Sequence, residues 1–213
     1  MQSPAPMNSE SELVRRVHAG DDAAFEQLIE KHHASLVRFA RGIVRDDAQA
    51  EEVVQDAWTA LVSGAEQFEG RSSLKTWLFR VTANRARTRA VREARSVPLS
   101  ALEDDSGGDE AFSPEGRWAR TPSSWPDLSS AASSPEGELV RGELRAALQE
   151  AVEALPPNQR AVLLLRDVEG LDSKEVCNIL GLSETNERVI LHRARVRLRA
   201  ALQDWVDHLP SGG

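Results

Sequence analysis

The feature that most constrains this chain is a helical rhythm with one long interruption. Apolar residues recur at three- and four-residue steps through Phe25, Leu28, Ile29, Leu36, Phe39, Ala40 and Ile43, the repeat of one buried helix face. A second stripe follows at Ala50, Val53, Val54, Ala57, Trp58 and Leu61, behind Asp46 and Asp47, which supply N-cap chemistry. A third, Leu74, Trp77, Leu78 and Val81, stands behind the turn "EGRSS", where Ser72 or Ser73 can cap. From Ser96 to about residue 138 the rhythm stops in "EDDSGGDEAFSPEGRWARTPSSWPDLSSAASSPEGE", a composition that buries too little apolar surface to offset the entropy of ordering. It resumes near Leu139 with Val140, Leu144, Leu148, Ala151 and Leu155, and Pro156 and Pro157 end that helix because proline lacks the donor and clashes with the preceding turn. Arg160 to Val168 reads as another short helix, closed by Gly170 in a left-handed cap.

This pattern predicts an all-α chain of two small helical domains joined by a flexible acidic linker. The expected divisions are a disordered tail over 1–9, a first domain over 10–95, the linker over 96–138, a second domain over 139–205 and a tail over 206–213. At 213 residues there is room for two such cores. Trp118 and Trp125 do not fit a purely solvating linker; docking onto the chain's own domains and docking onto a partner both account for them.

The formal net charge of -8 hides a segregation. Residues 1–70 carry 13 acidic and 6 basic side chains, and residues 96–138 carry 9 and 2. Between them lie Arg71, Lys75, Arg80, Arg85, Arg87, Arg89, Arg92 and Arg95 against Glu93 alone, and a second basic cluster follows at Arg188, Arg193, Arg195, Arg197 and Arg199. Such a division suits two surfaces that meet phosphate while the others repel it or meet a basic partner; two solvated helix faces are the plain alternative. The single Cys177 excludes an internal disulfide framework and fits a small core residue, and no clustered Cys and His set has metal-ligand spacing. The start "MQSPAPMNSE" has neither a basic nor an apolar leader region, and the longest clean apolar run is Ala161 to Leu165. A soluble, cytoplasmic protein without a cofactor is expected.

The stretch "GLDSKEVCNILGLSETNERVILHRARVRLRAAL" has the layout of a helix-turn-helix. Asp172 caps a helix starting at Ser173, and Glu175 closes a capping box. Val176, Ile179 and Leu180 face inward, Gly181 permits the reversal, and Ser183 caps a longer helix with Leu191, Ala194, Leu198, Ala201 and Trp205 inside. Asn186, Arg188, His192, Arg193 and Arg195 are left to the outside or flanks. In such motifs the second helix enters the major groove, where arginine pairs bidentately with guanine and asparagine with adenine. Basic helical hairpins also occur in proteins that never meet DNA, so the motif alone leaves both readings open. His32 and His33 have no spaced partner and read as a solvated helix edge.

Three motifs in order resemble the extracytoplasmic function (ECF) group of bacterial sigma-70 family RNA polymerase sigma factors. They are "DDAQAEEVVQDAW", "FEGRSSLKTWLFRVTANRAR" and "ALPPNQRAVLLLRDVEGLDSKEVCNILGLSETNERVILHRARVRLRAAL", and the similarity covers about residues 10–95 and 139–205. The resemblance implies a sigma-2-like and a sigma-4-like domain, and a transcription initiation factor that binds core RNA polymerase and directs it to minus-35 and minus-10 elements, melting the latter. It places Glu51, Glu52, Gln55 and Asp56 on a polymerase-docking face. Minus-10 DNA falls to Phe68, Arg71, Ser72, Ser73, Lys75, Arg80, Asn84, Arg85 and Arg87. Lys75, Arg80, Arg85 and Arg87 hold phosphates, Asn84 reads a base, and the loop Phe68 to Ser73 captures a flipped one. Minus-35 DNA falls to Ser183, Thr185, Asn186, Arg188, His192, Arg193 and Arg195. Trp77 has the spacing of a core residue rather than of a stacking platform for bases.

The same resemblance implies no catalysis of its own, an anti-sigma partner that is often membrane-anchored, and no direct membrane insertion. It sends the linker through the polymerase cleft, where the acidic run from Glu103 to Glu110 can imitate nascent RNA. The start of the recognition helix departs from the family's usual small residue followed by threonine, so the promoter sequence does not transfer. An ordinary helix-turn-helix repressor or activator, and a sigma-like adaptor that reads no promoter, remain the competing readings at this stage.

Overall fold

The computed structural model describes residues 9–44, 46–64, 68, 70, 72–93 and 135–207. Arg45, Arg71, the linker up to residue 134 with Trp118, Trp125 and its acidic run, the two tails over 1–8 and 208–213, and the Trp205 side chain lie outside the described residues. Every regular element among them is helical. In chain order they are α1 (Ser9–His18), α2 (Asp22–Val44), α3 (Asp47–Ser63), α4 (Leu74–Glu93), α5 (Pro135–Ala154), α6 (Pro157–Leu163), a π-helical turn (Leu164–Val168), α7 (Ser173–Leu180) and α8 (Glu184–Asp207). They form two compact units, one from the described residues of 1–99 and 164–184, the other from those of 100–163 and 185–213. α7 therefore belongs with α1 to α4.

In the first unit each helix start carries its own chemistry. Asp21 accepts from the Ala24 amide at the start of α2, and the Arg16 guanidinium bonded to it holds its carboxyl below the usual carboxylate range. Asp46 accepts from the Gln49 amide at 2.8 Å for α3, and the Ser73 hydroxyl accepts from the Thr76 amide at 3.1 Å for α4. Helix ends are equally defined. α1 closes in a Schellman arrangement, Asp21 N–H to Arg16 C=O and Gly20 N–H to Val17 C=O, with Gly20 at φ 84 where a side chain would be strained. That stop divides α1 from α2, a break the apolar repeat does not reveal.

The core is formed by the inner faces of these helices: Val14 and Val17, Leu28, Leu36 and Phe39, Val53, Val54, Ala57 and Leu61, and Leu74, Trp77, Leu78 and Val81. Phe25 meets Trp58 and Phe39 meets Phe79 edge to face, with centroids 5.7 and 5.3 Å apart. α2, α3 and α4 pack mutually, and α4 also packs against α7. His32, expected at a solvated edge, is instead buried at 4% exposure, with the carboxylate of Glu10 3.9 Å from its Nε2. Burial pulls its pKa below the ordinary 6.5, Lys31 and Lys75 push the same way, and Glu10 and Glu169 oppose.

In the second unit α5 begins at Pro135, ahead of the expected resumption at Leu139, in keeping with proline's preference for the first helical turn. α6 likewise starts on Pro157. Arg160 is buried, and its guanidinium donates to the backbone carbonyls of Glu153 and Leu155, satisfying carbonyls at and just beyond the C-terminal end of α5. Ala151, Leu155, Ala161, Val162, Leu163, Leu191, Ala194 and Leu202 are the buried apolar residues of this second unit. Along α8 the inner face differs from expectation at one place: Ala201 is exposed and Leu202 is buried, so the stripe from Glu187 through Leu191, Ala194 and Leu198 continues to 202.

Candidate nucleic-acid interface

On α3, Glu51, Glu52, Gln55 and Asp56 are all exposed, on the side opposite the buried Val53, Val54, Ala57 and Trp58. Two of the four are engaged within the unit. The Trp58 indole donates to His33 Nδ1 at 3.3 Å, which leaves the other ring nitrogen, Nε2, facing the Glu51 carboxylate at 3.3 Å. Glu52 pairs with the Arg89 guanidinium of α4. The face is acidic and accessible, and it is tied down from both neighbouring helices.

The loop before α4 and α4 itself gather most of the second set. Phe68 packs edge-on against Trp77 with centroids 6.2 Å apart, and Trp77 is 3% exposed. Trp77 is thus a core residue, as its spacing predicts, and Phe68 anchors the loop to it. Ser73 spends its hydroxyl on capping, at 2.7 Å from the Thr76 hydroxyl as well, while the Ser72 hydroxyl donates to the Ser73 carbonyl. Arg71 lies outside the described residues. On the helix, Arg80 and Asn84 are exposed four residues apart, and Arg85 is half-buried.

Lys75 and Arg87 are arranged differently. The Lys75 ammonium donates to the Glu169 carbonyl at 2.7 Å and stands 3.0 Å from the Glu169 carboxylate. The Thr76 hydroxyl donates to Glu175 Oε1 at 2.6 Å. The Arg87 guanidinium donates at 2.6 Å to the carbonyl of Leu180, the last residue of α7, and desolvation lowers its pKa. Sequence reasoning singled out Glu175 only as a capping residue and missed Glu169 and Thr76 as partners of α4. No local signal gives them, since the pairs lie more than ninety positions apart.

The α7 start is the capping box the sequence predicts: Asp172 accepts from the Glu175 amide at 2.8 Å, and Glu175 Oε2 accepts from the Asp172 amide at 3.0 Å. Before it, the short helix from Pro157 widens into the π-helical turn, with Glu169 N–H reaching Leu164 C=O, and Gly170 takes φ 70. Gly181 at φ 67 ends α7, its N–H bonded to the Cys177 carbonyl, and α8 begins three residues on.

On α8, Ser183 just ahead of the first turn and Thr185, Asn186 and Arg188 within it are exposed, while His192, Arg193 and Arg195 are half-buried. Thr185, Arg188, His192 and Arg195 share one stripe at three- and four-residue steps, with Asn186 and Arg193 alongside. Glu187, in the middle of this polar turn, is 1% exposed. Among the described residues no group of three or more His, Cys, Asp or Glu is placed to hold a metal ion, and no helix is long and apolar enough to cross a membrane.

An acidic helix, a basic helix behind a capped loop, and a helix-turn-helix in that order define a sigma-type helical protein. Residues 28–96 match the model of sigma-70 region 2, and residues 145–198 that of sigma-70 region 4. The chain is 29% identical to the RNA polymerase sigma-H factor of Pseudomonas aeruginosa, over 91% of its own length and 94% of the relative's. It is 29% identical to the ECF RNA polymerase sigma factor SigM of Mycobacterium tuberculosis and 27% to the ECF RNA polymerase sigma-E factor of Escherichia coli K12, covering 91% of this chain and 85% and 94% of theirs. Two solved structures share the fold. The sigma factor RpoE of Bartonella quintana, in complex with the anti-sigma factor NepR, aligns with TM-score 0.55 at 22% identity over 84% of this chain and 96% of that one. CnrH, in complex with the cytosolic domain of CnrY, aligns with TM-score 0.54 at 20% identity over 92% and 99%. The chain belongs to the ECF group of the sigma-70 family.

Proposed function

We propose that this chain is a transcription initiation factor that binds core RNA polymerase and directs it to promoters through minus-35 and minus-10 recognition, with melting of the latter. The observation that carries the reading is the order of the two matched regions, each holding a basic helix, at 28–96 and 145–198. The working division takes 10–95 as the sigma-2-like domain, 96–138 as linker and 139–205 as the sigma-4-like domain. Glu51, Glu52, Gln55 and Asp56 dock on the polymerase; their shared exposed face on α3 supports that role. Arg80 and Asn84 offer a fork and an amide to minus-10 DNA from an exposed ridge, with Lys75, Arg85 and Arg87 as phosphate contacts and Phe68, Arg71, Ser72 and Ser73 forming the loop for a flipped base. On α8, Ser183, Thr185, Asn186 and Arg188 read the minus-35 major groove, and His192, Arg193 and Arg195 follow along its edge.

The chain performs no bond chemistry; catalysis belongs to the polymerase. It works in the cytoplasm, and an anti-sigma factor is its regulating partner, in keeping with the solved complexes of its structural neighbours. Run-off transcription with purified core polymerase on fragmented genomic DNA tests the reading. Initiation at discrete sites that depends on this chain is expected, and its complete absence with active core enzyme would overturn the reading.

A further inference from the structure

Val189 lies within α8 at 42% exposure, and among the described residues the other large apolar side chains left so open are Val62 and Val168. One exposed valine needs no explanation by itself. Its direction does. At about 100° per residue, Val189 stands about 180° from the mean direction of the buried Glu187, Leu191, Ala194 and Leu202, at the crest of the outward face. Asn186 and Arg193 lie to one side of it and Thr185 and His192 to the other, each within about 60°. Arg188 is about 100° round, on the flank. The crest of this helix is therefore a branched apolar group inside a polar, partly cationic frame.

That frame selects the occupant. A protein partner covering Val189 would have to desolvate Arg188 and Arg193 beside it, whereas duplex DNA offers phosphates to the flanks and a groove floor to the crest. On the floor of the major groove the apolar group that a base presents is the C5-methyl of thymine, and a methylated cytosine carries the same group at the same ring position. An isopropyl side chain makes no hydrogen bond to a base edge, so it chooses by burial alone. Branching at Cβ holds it in one strongly preferred rotamer on a helix, and little freedom is lost on contact.

We infer that Val189 is a specificity-determining residue of the minus-35 reader and that it selects a pyrimidine C5-methyl group in the major groove. The inference rests on the sigma-factor reading and deepens it. Asn186, Arg188 and Arg193 read donors and acceptors, which thymine shares with uracil and cytosine shares with its methylated form. Val189 reads what those pairs do not share. Where the contacted pair holds a cytosine, its methylation strengthens the promoter.

The test uses holoenzyme assembled from the full chain and core polymerase, on a promoter mapped by run-off transcription. Every base pair carries one pyrimidine. Deoxyuridine in place of thymidine, and 5-methyldeoxycytidine in place of deoxycytidine, introduced one at a time on both strands of the minus-35 element, therefore scan the whole site for the methyl group alone. Wild-type holoenzyme is expected to respond at one pair. Either loss of the thymine methyl lowers apparent affinity about three- to fivefold, or methylation of cytosine raises it by the same factor, the scale of burying one methyl group. The first result assigns thymine as the source of the methyl and the second assigns methylated cytosine. Val189→Ala should abolish the response without unfolding the helix, because the site is exposed and alanine is a strong helix former. Val189→Ile, which keeps the branched end, should retain it. Specific initiation with no response at any pair would overturn the inference, and so would a response that persists in Val189→Ala. Absence of specific initiation by the wild-type holoenzyme would instead sink the sigma-factor reading, and this inference with it.

Discussion

α4 and α8 are both basic helices with an asparagine and several arginines, yet they present their charge in opposite ways. On α8 Glu184, Thr185, Asn186 and Arg188 are exposed around the buried Glu187, and the half-buried arginines follow later along the helix. On α4 the exposed cation Arg80 sits between Lys75 and Arg87, whose charges are already spent on Glu169 and Leu180. The difference teaches that counting cations on a helix overstates what it offers to DNA. What matters is which partner a phosphate must displace, and α4 has such a partner built into its own chain.

The largest expected effect breaks the comparison by removing its platform. Trp77→Ala deletes a core aromatic that also anchors Phe68, and should destabilise the first unit by about 3–5 kcal/mol in chemical denaturation. Trp77→Phe should cost far less and leave promoter opening intact. Loss of opening with a stable Trp77→Phe protein would mean that the ring stacks on bases after all.

Next, Arg188→Ala on the open helix should cost about 1–3 kcal/mol at one promoter position and relax the choice of base there, read by initiation on a promoter library. Asn84→Ala should behave likewise at the minus-10 element. Lys75→Ala sharpens the contrast. If Lys75 holds a phosphate as proposed, the substitution removes that contact and also the bond to Glu169, so holoenzyme binding should lose about 0.9 in the logarithmic salt slope while apparent affinity falls less than for Arg80→Ala. Equal losses for the two would show that Lys75 has no internal competitor.

A pH effect of direction only follows from His32. Its depressed pKa keeps the buried ring neutral, so below the ordinary value of 6.5 the unfolded chain binds a proton that the folded chain resists. Stability of the first unit should therefore decline as pH falls from 6.5 toward the lowered value, and His32→Gln should flatten that slope in thermal melts across pH 5 to 7.5. The smallest effect is expected for Arg89→Ala: the pair of exposed Glu52 with half-buried Arg89 is worth about 0–1 kcal/mol, and most of that loss should vanish in high salt.

Much of this was legible in the sequence because it depends on near neighbours. Apolar steps gave the helices, Asp46 and Asp172 their starts, Gly170 and Gly181 their stops, and Trp77 its place in the core. Positions further apart were not legible. His32 reads as a surface residue until α1 covers it, and Glu187 looks like part of a polar turn although its side chain is buried. Within α8, one residue of drift between a heptad-like repeat and the 3.6-residue turn exchanged Ala201 for Leu202 on the inner face. The Glu169, Glu175 and Leu180 contacts are non-local in the extreme, and Glu169 is positioned by a π-helical turn that no apolar repeat announces.

The central claim, that one chain reads two separated promoter elements and opens one of them, is tested most directly by footprinting the holoenzyme on a mapped promoter with permanganate probing. Two protected patches about 25 base pairs apart are predicted, with reactive thymines only at the downstream patch and both patches lost without core polymerase. A single protected site, or tight protection by the free chain with no reactive thymines, would contradict the account.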